Sequence, residues 1–130
     1  MIIILAILLT IKHFLCDVKF QSFQMTLDKR AEGWKGTKGL LKHSGIHALG
    51  TWIVVALFLV LSKGIVVALI AGFIFAMMDL QGHYVVDMFK VDVEKVLKPE
   101  YKSRSWWILL GFDQAAHFAF YGLFIWMLWV

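Results

Sequence analysis

A single proline and a single cysteine stand in a chain of 130 residues, and only 17% of those residues are charged. With so little proline and no low-complexity tract, a proline-rich linker or a long disordered tail is excluded. One cysteine excludes an intramolecular disulfide, and without thiolate clusters the chain does not suit Cu(I) or an iron–sulfur centre. Cys16 itself lies in an apolar run and reads as a helix-packing residue. What fills the place of charge is hydrophobic: 61% of residues, with a mean hydropathy of +0.77, against roughly 45–50% apolar in a soluble domain. That excludes an ordinary soluble domain, and the length allows one domain, residues 1–130. The net charge of +4 could suit nucleic acid. In a membrane chain, however, a basic excess belongs to cytoplasmic loops and anionic headgroups, so no nucleic-acid partner is expected.

Four hydrophobic segments are legible, at about residues 1–20, 40–61, 65–89 and 106–130, each near the ~20 residues that cross a bilayer as a helix. The first lacks a basic leader and a small-residue cleavage site, and it contains His13 and Asp17, so it reads as a retained span. Between the segments lie two basic loops and the short turn Ser62-Lys63-Gly64. Residues 19–42 hold Lys19, Lys29, Arg30, Lys35, Lys38 and Lys42, and residues 90–104 hold Lys90, Lys95, Lys98, Lys102 and Arg104. Eleven of the thirteen basic residues thus fall on one side, which the positive-inside rule places in the cytoplasm. The expectation is an all-α integral membrane four-helix bundle of up-down topology in a bacterial inner membrane, with both termini outside. Trp106 and Trp107 suit the cytoplasmic interface, Trp126 and Trp129 the far one.

Inside these spans, polar residues come in pairs: His13 with Asp17, His43 with His47, His83 with Asp87, and Asp113 with His117. Each pair is spaced i, i+4, which sets two side chains on one helix face, one turn apart, where both can reach a single ion. All five histidines of the chain belong to the set, where random placement gives a given histidine such a neighbour about one time in six. Counted from the cytoplasmic ends, the four antiparallel spans carry the pairs to nearly one level. The competing reading is a polar core of interhelical hydrogen bonds. Inserting an Asp at helix centre costs on the order of 2.5–3.5 kcal/mol, and a hydrogen bond between membrane helices returns about 0.6 kcal/mol. Eight such residues at one depth are therefore expected to be metal ligands.

Mixed imidazole and carboxylate donors suit zinc first, then manganese or iron. Their number exceeds one tetrahedral site and matches the supply of a dinuclear carboxylate bundle, so two divalent ions are expected. Asp79 lies one turn before His83 on the same stripe, placed to act as a catalytic base, to orient that imidazole, or to accept an interhelical hydrogen bond. Gln21, Gln24 and Gln114 lie beside ligands at the inner interface. Lys12 and Lys90 adjoin the site and are expected to snorkel towards the headgroups.

The strings HFLCDVKFQ (13–21), HSGIH (43–47), GHYVVDMFK (82–90) and FDQAAH (112–117) resemble a phage and bacterial membrane family of unknown function, numbered 3307. Its pattern runs HxxxDFxxQ, HxxxH, HxxxDxxK and DQxxH, and the likeness covers nearly the whole chain, with Val18 in place of the family's Phe. The resemblance implies a compact membrane protein and sets His13, Asp17, Gln21, His43, His47, His83, Asp87, Lys90, Asp113, Gln114 and His117 on motif positions. The pattern is also broadly similar to membrane-bound metal-dependent hydrolases. The leading expectation is therefore hydrolysis of a phospholipid or lipid-linked phosphate, with membrane lipid as surroundings and substrate. The alternatives are a dinuclear iron oxidoreductase acting on an acyl chain and a non-enzymatic metal-binding protein with a transport or host-interaction role. The sequence leaves the oligomeric state open.

Overall fold

The computed structural model describes residues 2–129, and every element in it is helical. In chain order these are α1 (Ile2–Leu15), a π-helical turn (Cys16–Phe20), α2 (Phe23–Arg30), α3 (Gly33–Lys63), α4 (Ile65–Leu97) and α5 (Arg104–Trp129). No strand occurs among the described residues.

Three of the helices, α3, α4 and α5, are long and apolar enough to cross a membrane. The first expected span differs. It is a 14-residue α-helix followed by the wider π turn, short of spanning length as an α-helix alone. That turn carries Asp17 against α3, and a π insertion is a common way to re-aim a side chain at a functional site.

The basic segments also differ from the loops expected of them. Residues 23–30 form α2, α3 already begins at Gly33, and α4 runs on to Leu97. Helix continues there because it satisfies the backbone N–H and C=O groups internally. Ser22 caps α2, its Oγ accepting from the Met25 N–H at 3.2 Å, as an N-cap serine does. Gly64, at φ +79°, makes the turn between α3 and α4 in a region that side chains disfavour. Lys98, left-handed at φ 43°, closes α4 by donating its N–H to Glu94 O at 2.9 Å, and Pro99 follows, which prevents continuation.

α3 packs along α4 as an antiparallel hairpin, α1 lies against α3 and α5, and α5 returns against α4. One end of this arrangement is an apolar core of Leu5, Leu9, Val55, Leu59, Ala68, Phe75 and Phe124, bounded by Tyr121. At the other end, α2 folds beneath α3. A Cβ on Gly39 would stand 2.7 Å from the backbone of Asp28 and Lys29, so the bare glycine permits a crossing close enough for Met25 and Lys29 to turn inward.

Candidate metal centre

Each long helix turns a stripe of residues inward at four-residue spacing, the interval that repeats one helix face. The stripe is His43, His47 and Thr51 on α3, Asp79, His83 and Asp87 on α4, and Asp113, His117 and Tyr121 on α5, all of them buried. α1 adds Lys12 and His13, and the π turn adds Asp17. The eight residues expected as ligands come together in one contiguous cluster.

Asp17 is its hub on one side. Its Oδ1 lies 3.1 Å from His47 Nε2 and 3.4 Å from His43 Nε2, and its Oδ2 lies 3.2 Å from His13 Nε2. On the other side, His117 Nε2 stands 3.5 Å from Asp113 Oδ1 and 4.0 Å from Asp87 Oδ1. Asp87 joins the halves, because its Oδ2 is 3.4 Å from His43 Nε2. His83 sits between, its ring stacked on His117 with centroids 4.2 Å apart and its Nε2 3.3 Å from His13 Nδ1.

These separations bear directly on metal chemistry. Donors about 2.1 Å from a tetrahedral ion lie about 3.4 Å from one another. Three donor sets are compact enough to share an ion: His13, His47 and His83; Asp17, His43 and His47; and Asp87, Asp113 and His117. Buried side-chain atoms without a protein partner fall in the same place. Among the described residues they are Nδ1 of His43, His47 and His117, whereas Oδ1 of Asp79 and Oδ1 of Asp113 have only His83 and His117 beside them. Leaving such atoms unsatisfied costs about 1–3 kcal/mol each, so their concentration at one centre calls for water or an ion there.

The surrounding shell contains groups that the sequence reading left out or misplaced. Lys12 does not snorkel. It is 6% exposed and donates to Asp79 Oδ2 and to Tyr121 Oη, both at 2.8 Å. A carboxylate buried as deeply as Asp79 needs a counter-charge, and Lys12 supplies it. Gly50 leaves room for the lysine stem, since a Cβ there would come within 2.8 Å of it. Lys90 is likewise paired, donating to Asp113 Oδ2 at 2.9 Å. Lys29, assigned to a loop by its charge, donates to Asp87 Oδ2 at 3.0 Å and to Gln21 Oε1 at 2.9 Å.

Of the roles open to Asp79, the geometry supplies the imidazole partner. Its Oδ1 lies 2.9 Å from His83 Nδ1, and its Oδ2 accepts from Thr51 Oγ1 at 2.7 Å as well as from Lys12. Gln114 lies beside the site, 3.1 Å from His13 Nε2, and donates to Asp113 Oδ2 at 3.2 Å. Gln24 is not brought in, and donates instead to Asp28 at 2.8 Å. That hydrogen bond, with Lys35 and Lys42 nearby, holds the Asp28 carboxyl below its usual range. Cys16 is buried packing, its Sγ 3.9 Å from Ile46 O.

The motifs that supply these residues match a family model, described as a protein of unknown function, DUF3307, over residues 4–130. The chain belongs to that family. Membership in DUF3307 carries no activity with it, and the hydrolase likeness expected from the motifs gains nothing from the match. No curated protein and no solved structure matches the chain.

Proposed function

We propose that this DUF3307 protein is a four-span, up-down helix bundle of the bacterial inner membrane that holds a divalent metal centre near the inner leaflet. In this reading it uses the centre to hydrolyse a phospholipid or lipid-linked phosphate. The observation that carries the proposal is the spacing of the buried donors. Asp17, His43 and His47 on one side, and Asp87, Asp113 and His117 on the other, stand at the separations of ligands around two neighbouring ions. The α1 segment serves as the fourth span, and the basic residues of 19–42 and 90–104 set the cytoplasmic side, with both termini outside. Zinc is the favoured ion, with manganese or iron next.

Ions held there would supply Lewis acidity to a phosphoryl oxygen and an activated water at neutral pH. The chain's own residues do the rest. Asp79 fixes the orientation of the His83 ring, as a carboxylate behind a ligating imidazole does. Lys29 and Lys90, paired with Asp87 and Asp113, place positive charge beside the donors, where a phosphate would sit. An apolar furrow of about 350 Å³ runs between α4 and α5 along Val86, Phe89, Leu109, Phe112 and Ala116 and ends at Lys90 and Asp113. An acyl chain lying in that furrow would bring its headgroup to Asp113 from within the bilayer.

The test is turnover by the metal-loaded protein in bilayers containing phospholipid or polyprenyl phosphate, with His117→Ala as the control. Release of phosphate or of a phosphorylated headgroup, lost in His117→Ala, supports the reading. No turnover with the ions fully loaded gives the site to a non-enzymatic metal-binding role.

A further inference from the structure

Four carboxylates enter the cluster, and three of them already hold a cation. Asp79 pairs with Lys12 at 2.8 Å, Asp87 with Lys29 at 3.0 Å and Asp113 with Lys90 at 2.9 Å. Asp17 has no lysine or arginine partner among the described residues. Its neighbours are the three imidazoles of His13, His43 and His47. Its side chain is also the most open of the four, 28% exposed against 1%, 6% and 3% for Asp79, Asp87 and Asp113. The ring atoms that face it from α3 are Nε2 of His43 at 3.4 Å and Nε2 of His47 at 3.1 Å.

We propose that the centre fills in a fixed order. The first divalent cation binds at Asp17, His43 and His47, and a second binds more weakly at Asp87, Asp113 and His117, where the ammonium groups of Lys29 and Lys90 already neutralise the two carboxylates. The inference rests on the metal-centre reading and goes beyond it, because it makes the two positions unequal and names what weakens the second one.

The order follows from charge. With neutral histidines, four carboxylates and three lysines leave one negative charge, and it is localised at Asp17. A cation arriving there meets an unpaired carboxylate in a low-dielectric interior, reached through the only half-open ligand. A cation arriving at Asp87 or Asp113 can reach the Oδ1 atoms that face His117, but it meets carboxylates whose Oδ2 atoms already hold an ammonium, and it binds against that neighbouring positive charge. The two lysines can also draw back from the ion. The Lys90 side chain is 21% exposed and long enough to swing to the headgroups, and Lys29 keeps Gln21 Oε1 as a second acceptor at 2.9 Å. Lys12 is not suited to yielding, because it is enclosed between Asp79 and Tyr121. A phosphate group is the natural companion for these ammonium groups, so the second ion and an anionic substrate would assist each other's binding.

Calorimetric titration of the chelator-treated full-length chain in detergent with Zn²⁺ and with Mn²⁺ tests this. The unaltered protein should bind one equivalent tightly and a second more weakly. Lys29→Gln and Lys90→Gln should each tighten the second equivalent by about tenfold, the scale of one neighbouring charge removed, and leave the first unchanged. Asp17→Asn should lose the tight equivalent. Two equal equivalents in the unaltered protein, a tight equivalent that survives Asp17→Asn, or a second equivalent indifferent to both lysine variants would overturn the order while leaving a metal centre standing. No heat and no bound metal in any of these folded proteins would overturn the metal-centre reading itself. Should Lys29→Gln fail to fold, Lys90→Gln and the two-step titration of the unaltered chain still decide.

Discussion

The same inward stripes have opposite characters at their two ends. On α3 the stripe is His43, His47 and Thr51, then Val55 and Leu59; on α5 it is Asp113 and His117, then Tyr121 and Phe124. On α1 it passes from His13 and Lys12 to Leu9 and Leu5, and on α4 from Asp87, His83 and Asp79 to Ala76, Gly72 and Ala68. The apolar end is held by side-chain packing, with Leu9, Val55 and Phe124 fully enclosed. The polar end is held by ion pairs and carries the buried polar atoms that lack partners. In a membrane the first kind of core costs little to insert, whereas each carboxylate in the second kind costs several kcal/mol on insertion scales. A fold needing only stability would extend the apolar end downward. Keeping the polar end therefore points to a task performed there.

The comparison can be broken first at Lys12 and Asp79, where the two ends meet. Asp79→Ala strands a buried ammonium and should cost about 3–5 kcal/mol, read as a large drop in unfolding temperature in detergent. Asp17→Ala should cost far less stability yet abolish tight metal binding, because Asp17 has no lysine to strand. Equal losses of stability in the two variants would erase the distinction between a structural and a ligating carboxylate. Next in size, Leu9→Ala should cost about 2–5 kcal/mol through the cavity it opens, while metal content per folded chain stays unchanged. A loss of metal in Leu9→Ala would mean that the two ends fold as one unit. Stripping the ions with a chelator should lower stability by about 2.7 kcal/mol relative to protein held at a hundredfold excess over the dissociation constant. An unfolding temperature indifferent to the chelator would speak against ions at the polar end. The smallest effect is expected of Thr51→Val, which removes one hydrogen bond to Asp79 and should cost about 0.6 kcal/mol. A cost several times larger would show that Thr51 is needed to keep Asp79 in place.

The inward-facing His and Asp pairs were legible because a four-residue interval inside an apolar run repeats one helix face. The same interval would have found Thr51 and Tyr121, each four residues beyond a histidine, had hydroxyl groups been counted with the stripe. Lys29 was hidden for a different reason. Its charge assigned it to a loop, and only the close crossing of α2 over Gly39 brings it to Asp87. Lys12 was misplaced because snorkelling is the usual fate of a membrane lysine, and nothing in the residue pattern marks the depth at which Asp79 competes for it. The helical character of the chain was plain from composition. The division of the first segment at Cys16 was not, because local sequence carries no mark of a π turn that tertiary contact with α3 imposes. Helix ends shifted by several residues because charge marks the membrane boundary, whereas helices end where their backbone is capped.

The most direct measurement is elemental mass spectrometry of the purified full-length chain, loaded with excess zinc, manganese or iron and then freed of loose metal. The account predicts about two equivalents at saturation, with the more weakly held one lost first on dilution and both absent from a variant in which His47 and His117 are alanine. A folded chain that retains no metal under any of these loadings would contradict it, and the cluster of Asp17, Asp87, Asp113 and the five histidines would then be a polar core and nothing more.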